Sequence, residues 1–233
     1  MELPCAETLA LPRGPATVKW RRSARARCVS LRIDARGGAV VVTLPPGARR
    51  RAGMALLTDH ADWISEQLAA LPGRVALADG AMLKLQGRLH RIRQVGGGAG
   101  CVRIEGREIR CSGPAEAVPK MVGAFLRAEA QRRFSALALK KAAMAGLSPK
   151  RVVVKDTRSR WASCAADGTL AFSWRLLMAP GFVQESVVAH EVAHLRHMHH
   201  GPDFWELAHR LSSHAGRAAA WLARNGPGLL RVG

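Results

Sequence analysis

Hydrophobic residues along the chain change their period several times, and each change predicts an element. Residues 29–34 (VSLRID) alternate apolar and polar, 36–38 (RGG) have turn composition, and 39–44 (AVVVTL) form a β-branched run. Together they predict a β-hairpin that Pro45-Pro46-Gly47 closes. Met54, Leu57, Ala61, Ile64 and Leu68 then recur at helical spacing, which predicts one helix over 49–71, stopped by Pro72-Gly73. Short alternating runs at 82–85, 89–93, 101–104 and 108–111 predict four more strands. Gly96-Gly97-Gly98 between them reads as a hairpin tip, not a phosphate loop, because no Gly-Lys-Ser/Thr and no helix follow it.

Ser112-Gly113-Pro114 reads as a boundary. Beyond it the spacing predicts a helix over 115–145 with Gly146 as its stop, a strand at 151–155, a loop over 156–168 and a strand at 169–174. A helix over 182–198 follows, broken by Gly201-Pro202. A last helical region starts at Pro202, bends near Ser212-Ser213 and ends at 225–227. No internal repeat is evident. The fold class expected is α+β: a β-rich region over 1–113 with one helix, then a second domain over 114–233.

Composition narrows the setting. A hydrophobic fraction of 48% in 233 residues supports packed cores. No apolar run reaches the roughly 18 residues of a membrane span, and the N-terminus lacks the pattern of a signal peptide. Cys5, Cys28, Cys101, Cys111 and Cys164 are odd in number and form no CxxC pair, so a reduced cytoplasm is the expected compartment. The net charge of +19 raises a nucleic-acid partner, and 13–51 holds eleven basic residues against one acid. The bland reading is solvated surface arginine, since arginine outnumbers lysine 29 to 7 and no zinc finger, helix-turn-helix or stacking aromatic cluster accompanies the charge.

Chemistry concentrates in HEVAHLRHMHHGPDFW, residues 190–205; seven of the nine histidines lie between His190 and His214. His190, Glu191 and His194 form HExxH. On a helix the two histidines stand one turn apart on one face, where both can hold one zinc ion, and Glu191 beside them can take a proton from water. A catalytic zinc needs a third protein ligand. His197 is too far along a continuing helix, about 10 Å from His190. The chain must therefore turn back, and Gly201-Pro202 marks where the helix cannot run on. His200 is the best placed, then His199, with Glu206 and His209 behind them. A zinc domain without catalysis is the alternative that Glu191 argues against.

These residues resemble the YgjP-like metallopeptidases, relatives of the SprT-like proteases and the wider zincins. The likeness rests on HEVAHLRHMHHGPDFW, on residues 157–164 (TRSRWASC) and on residues 172–180 (FSWRLLMAP). Weaker likeness reaches residues 44–47 and 60–64. Ala162 departs from the family's glycine, and His90 stands where relatives often carry tyrosine. The resemblance implies a zincin-like catalytic part with the HExxH helix next to an antiparallel hairpin. It implies one zinc ion on His190, His194 and His200, Glu191 as general base, and hydrolysis of peptide bonds in a protein or peptide substrate. Because SprT-like relatives act on proteins attached to DNA, it also joins the protease and nucleic-acid readings. The chain has no tyrosine, so Arg160, His209 and His214 are the candidates for a second oxyanion donor. Trp161 is expected as a core anchor more than a substrate contact, Ser163 as motif support, and Cys164 as a small buried thiol. Phe204 and Trp205 are expected to pack the turn that aims His200.

Overall fold

The structure, a computed structural model, describes residues 6–11, 14–96 and 100–233. Gly97 and Gly98 of the expected hairpin tip, and Cys5, lie outside the described residues. The first sheet holds β1 (Ala6–Leu11), β2 (Gly14–Arg22), β3 (Ser30–Asp34) and β4 (Ala39–Leu44) in the order β1-β2-β4-β3. β2 and β4 run parallel, and the outer pairs are antiparallel. The β3–β4 hairpin is the one the sequence predicts. β1 and β2 were not anticipated, although β2 alternates as a half-buried strand should: Ala16, Val18 and Trp20 are buried, and Thr17 and Arg21 are exposed. The single helix expected over 49–71 is two, α1 (Arg50–Asp59) and α2 (Ala61–Ala69), which meet at His60. Leu57 and Ile64 point from them into the same core as Val18, Val40, Val42 and Leu44.

A second compact unit runs from Arg74 to Gly233, the first from Met1 to Gly73. The second opens with β5 (Met82–Leu85), β6 (Arg88–Val95), β7 (Val102–Glu105) and β8 (Glu108–Ser112), ordered β5-β6-β8-β7. Again the central pair is parallel and the outer pairs antiparallel. The two sheets therefore share one topology, a repeat that has no counterpart in residue identity and so escaped the sequence reading. Leu83, Leu85, Ile92 and Ile109 of this sheet lie in one core with Val122, Leu126 and Phe134 of α3 (Val118–Met144). Ser112-Gly113-Pro114, read as a boundary, thus lie inside the second unit. Gly146 sits at φ 63° just past α3, the left-handed conformation that ends helices.

β9 (Arg151–Lys155), β10 (Ala162–Cys164) and β11 (Thr169–Ser173) form a third sheet in the order β10-β11-β9. The loop expected over 156–168 contains β10. It forms an antiparallel hairpin with β11, whereas β9 joins β11 in parallel. A 3₁₀ turn over Trp174–Met178 leads into α4 (Gly181–Ala193), then α5 (Pro202–Leu211) and α6 (Ala215–Leu230). The bend expected at 212–213 is a full break between α5 and α6. α6 also runs past 225–227 to Leu230 with Pro227 inside it. No helix among the described residues is long and apolar enough to cross a membrane.

Candidate metal centre and adjoining cavity

α4 is anchored before it delivers any chemistry. Gln184 is fully buried near its start; its side-chain amide donates to the carbonyls of Leu177 (3.1 Å) and Ala179 (2.7 Å), and its oxygen accepts from Arg133 of α3. Val183, Val188 and Val192 pack into the core. With that face buried, His190 and His194 stand on the remaining face one turn apart, their ring centroids 4.9 Å from each other.

The helix ends sooner than the expected residue 198. The last helical residue is Ala193, and Leu195, Arg196 and His197 wind back on it through bonds from their N–H groups to the carbonyls of Val192 (3.0 Å), Ala193 (3.1 Å) and Ala193 (3.0 Å). The reversal is thus made before Gly201-Pro202. Gly201 is extended at φ −77° with open space where a side chain would sit, so its freedom is not what turns the chain. Pro202 occupies the first turn of α5, where a missing N–H costs nothing.

This turn brings His200 back to the helix. One ring nitrogen each of His190, His194 and His200 lies within 4.8 Å of the others; Nε2 of His200 is 3.1 Å from Nε2 of His190. His197 and His199 do not join them. The backbone of His197 nonetheless takes part, because its carbonyl sits 3.0 Å from Nδ1 of His194. A carbonyl can only accept, so Nδ1 of His194 carries the proton and Nε2 is left bare for a cation. Phe204, fully buried, touches all three rings at centroid distances of 4.9, 4.6 and 4.6 Å. Trp205 lies along His200 at 5.7 Å and 29°. Both rings lie against the turn that carries His200.

The electrostatics favour neutral imidazoles. Burial, then the charges of His194 and His200, pull His190 down to about 4. Burial also lowers His194, against its bond to the His197 carbonyl. Three imidazoles with converging nitrogens, two of them held below the ordinary histidine range, are a donor set that suits a borderline cation such as zinc. Glu191 is buried next to them. Desolvation pushes its carboxyl up to about 7, opposed by a hydrogen bond from the backbone of Cys164 on β10 and by the charge of Arg160. Cys164 is half-buried, and its thiol is raised by burial and by Glu191.

A cavity of about 540 Å³ opens beside Glu191 and His190. Trp161, Ala162, Trp205 and His209 line it; Ser163 and His214 do not. Trp161 is held from behind by α6, where a Cβ on Gly226 would come within 3.0 Å of the indole. Ser163 pairs with Ala171 in the hairpin. His214 meets Phe182 edge-on at 5.9 Å, at the far end of α4 from the histidine cluster. Arg160 is exposed at the entry to β10, and Thr157 donates a hydrogen bond to its carbonyl at 2.7 Å. The backbone contributions of Cys164 and His197 were missed from sequence, since a main-chain group carries no residue signature.

A family model described as YgjP-like, metallopeptidase domain, matches residues 27–225. No curated protein and no solved structure matches the chain. With 27–225 covered, and with a histidine cluster able to hold a metal inside that span, the chain belongs to the YgjP-like metallopeptidase family.

Proposed function

We propose that the protein is a zinc-dependent metallopeptidase of the HExxH type, with His190, His194 and His200 as ligands to one ion and Glu191 as general base. The observation that carries this reading is the convergence of three imidazole nitrogens within 4.8 Å beside a buried carboxylate. A zinc ion held by His190, His194 and His200 would supply Lewis acidity to a water and to a substrate carbonyl. Glu191 accepts the proton of the attacking water and returns it to the leaving amine. The Cys164 N–H keeps the carboxylate aimed, and Arg160 favours its charged form. Among described strands β10 pairs only with β11; on its other edge the Cys164 N–H is taken by Glu191, and we infer that Ala162 there meets an extended peptide main chain. His209 on the cavity wall and Arg160 at the strand entry remain as donors for the oxyanion; the position of His214 against Phe182 supports neither that role nor another at this site.

The test is Glu191→Gln, read by metal content and by cleavage of an unstructured protein. The variant is expected to keep about one zinc per chain and to lose at least about 100-fold in rate. Equal cleavage by the variant and the parent would remove Glu191 as the base, and cleavage by neither would leave a metal domain without catalysis. His200→Ala checks the ligand set separately, since it is expected to lower zinc affinity steeply, and unchanged affinity would remove His200 from it.

A further inference from the structure

The cavity beside Glu191 has a composition that names what it holds. Moving back along α4 by one turn, Val187 lies under Glu191 and Ser186 under His190, so the cavity continues the reactive face of the helix inward. Its opposite wall is α6, where Ala215 and Ala219 leave the space and Leu222 lines the interior. Trp161 and Trp205 flank it, and Gly226 of α6 lies against the Trp161 ring. Glu191 is the one carboxylate in the lining, and it belongs to the reactive end. A cationic side chain entering this space would lose its hydration with no counter-charge at depth, whereas an apolar one would exchange water for contact. The volume, about 540 Å³, falls within the range of roughly 300–1,000 Å³ typical of ligand pockets.

We infer that this cavity is the specificity pocket of the protein and takes a large apolar side chain, such as Phe, Leu or Met, from the substrate residue that flanks the bond to be cut. The inference rests on the peptidase reading for the identity of the occupant. The main chain of the substrate lies along β10, and the pocket opens between that strand and α4, so one side chain next to the reacting carbonyl drops into it. Sequence tolerance elsewhere follows, because main-chain bonds to an edge strand do not discriminate among side chains.

The experiment separates this inference from the peptidase reading by measuring binding without turnover. Zinc-loaded full-length Glu191→Gln protein is titrated by calorimetry with two short peptides that differ only in one residue, Phe or Ala. The Phe peptide is expected to bind roughly 30-fold tighter or better. Ala219→Phe, added on the exposed side of α6 to fill the pocket, is expected to erase that difference while zinc content stays the same. Equal binding of the two peptides, binding of neither, or an undiminished preference in the Ala219→Phe background would each overturn the pocket assignment. In the active protein, mass spectrometry of a digested unstructured protein is expected to place large apolar residues at one fixed position beside the cut. Cuts with no such enrichment would sink the inference and leave the peptidase reading standing. Absent cleavage alongside a retained Phe preference would do the reverse.

Discussion

Phe204 shows how a residue with no chemistry of its own can govern a metal centre. It is fully buried and its ring lies against all three imidazoles at once. Removing the ring opens a cavity and lets His190, His194 and His200 leave the positions in which their nitrogens converge. Phe204→Ala is therefore expected to cost about 3–5 kcal/mol of stability and to lower zinc affinity by roughly 10–100-fold. Thermal unfolding of the metal-free protein reads the first effect, and competition against a chelator reads the second. A drop in melting temperature with unchanged zinc affinity would mean the ring supports only the core. At this scale the sequence was most informative where residue type and spacing are the whole requirement. HExxH needs two imidazoles and a carboxylate on adjacent positions of one helix face, and that is visible in letters. His197 marks the limit: its ring is irrelevant to the cluster while its carbonyl fixes the tautomer of His194. The elimination by distance assumed a helix running on through His197, whereas α4 ends at Ala193, and it could say nothing of the backbone.

Elements were legible when their period was long or their turn chemistry strong, and obscured when a partner elsewhere in the chain decided the outcome. The β3–β4 hairpin is the clear case. Asp34 ends β3, accepts from the Gly37 N–H at 3.2 Å and from Nζ of Lys19 on β2 at 2.9 Å. A Cβ at Gly37 would fall 2.7 Å from both of those side chains, so a larger residue there would have to displace the ion pair. Burial pushes the Asp34 carboxyl up, but the Lys19 and Gly37 hydrogen bonds outweigh it and hold the group below the ordinary aspartate range. The sign follows: a depressed carboxyl contributes its stability above the unfolded pKa of about 4, and that contribution is lost as pH falls through the folded value. Asp34→Ala is thus expected to destabilise the first unit by ~1 kcal/mol at neutral pH and by less at acid pH. Melting curves of parent and variant at the two pH values check this, and an equal deficit at both would rule out the carboxylate as the cause. β10 was missed for the opposite reason. Three residues of mixed polarity have no period to read, and they are a strand only because β11 offers them a partner. The helix ending at Ala193 is similar: residues 195–198 carry no breaker, and the reversal is set by where His200 and Phe204 pack.

Across the whole chain, charge and packing divide the molecule differently from the way sequence punctuation suggests. Pro-Gly punctuation is as strong at 72–73 as at 113–114, and only the shared core of β5–β8 with α3 decides that the first of these separates the compact units. The charge is less ambiguous. Arg21, Arg22, Arg25, Arg27, Arg32, Arg49 and Arg51 of the first unit are all exposed, within a chain of net charge +19. A surface of this charge is expected to attract polyanions, because each phosphate contact releases a condensed counterion. Duplex DNA is therefore expected to bind without sequence preference at low ionic strength. The logarithm of affinity should fall linearly with the logarithm of salt, by about 0.9 for each phosphate contacted. Fluorescence anisotropy with a labelled duplex across a salt series measures that slope. Replacing Arg21, Arg25 and Arg27 together by Ala is expected to make it shallower by about one for each residue that touches a phosphate. Zinc content should not change, since none of the three is in the unit that carries the histidine cluster. If the slope is the same in parent and triple variant, the arginine-rich face is solvated surface only, and the contacts lie among the basic residues beyond Gly73. A parent protein that leaves the duplex free even at low salt would show instead that a +19 charge spread over two compact units is too dilute to hold a polyanion, and would remove the nucleic-acid partner altogether.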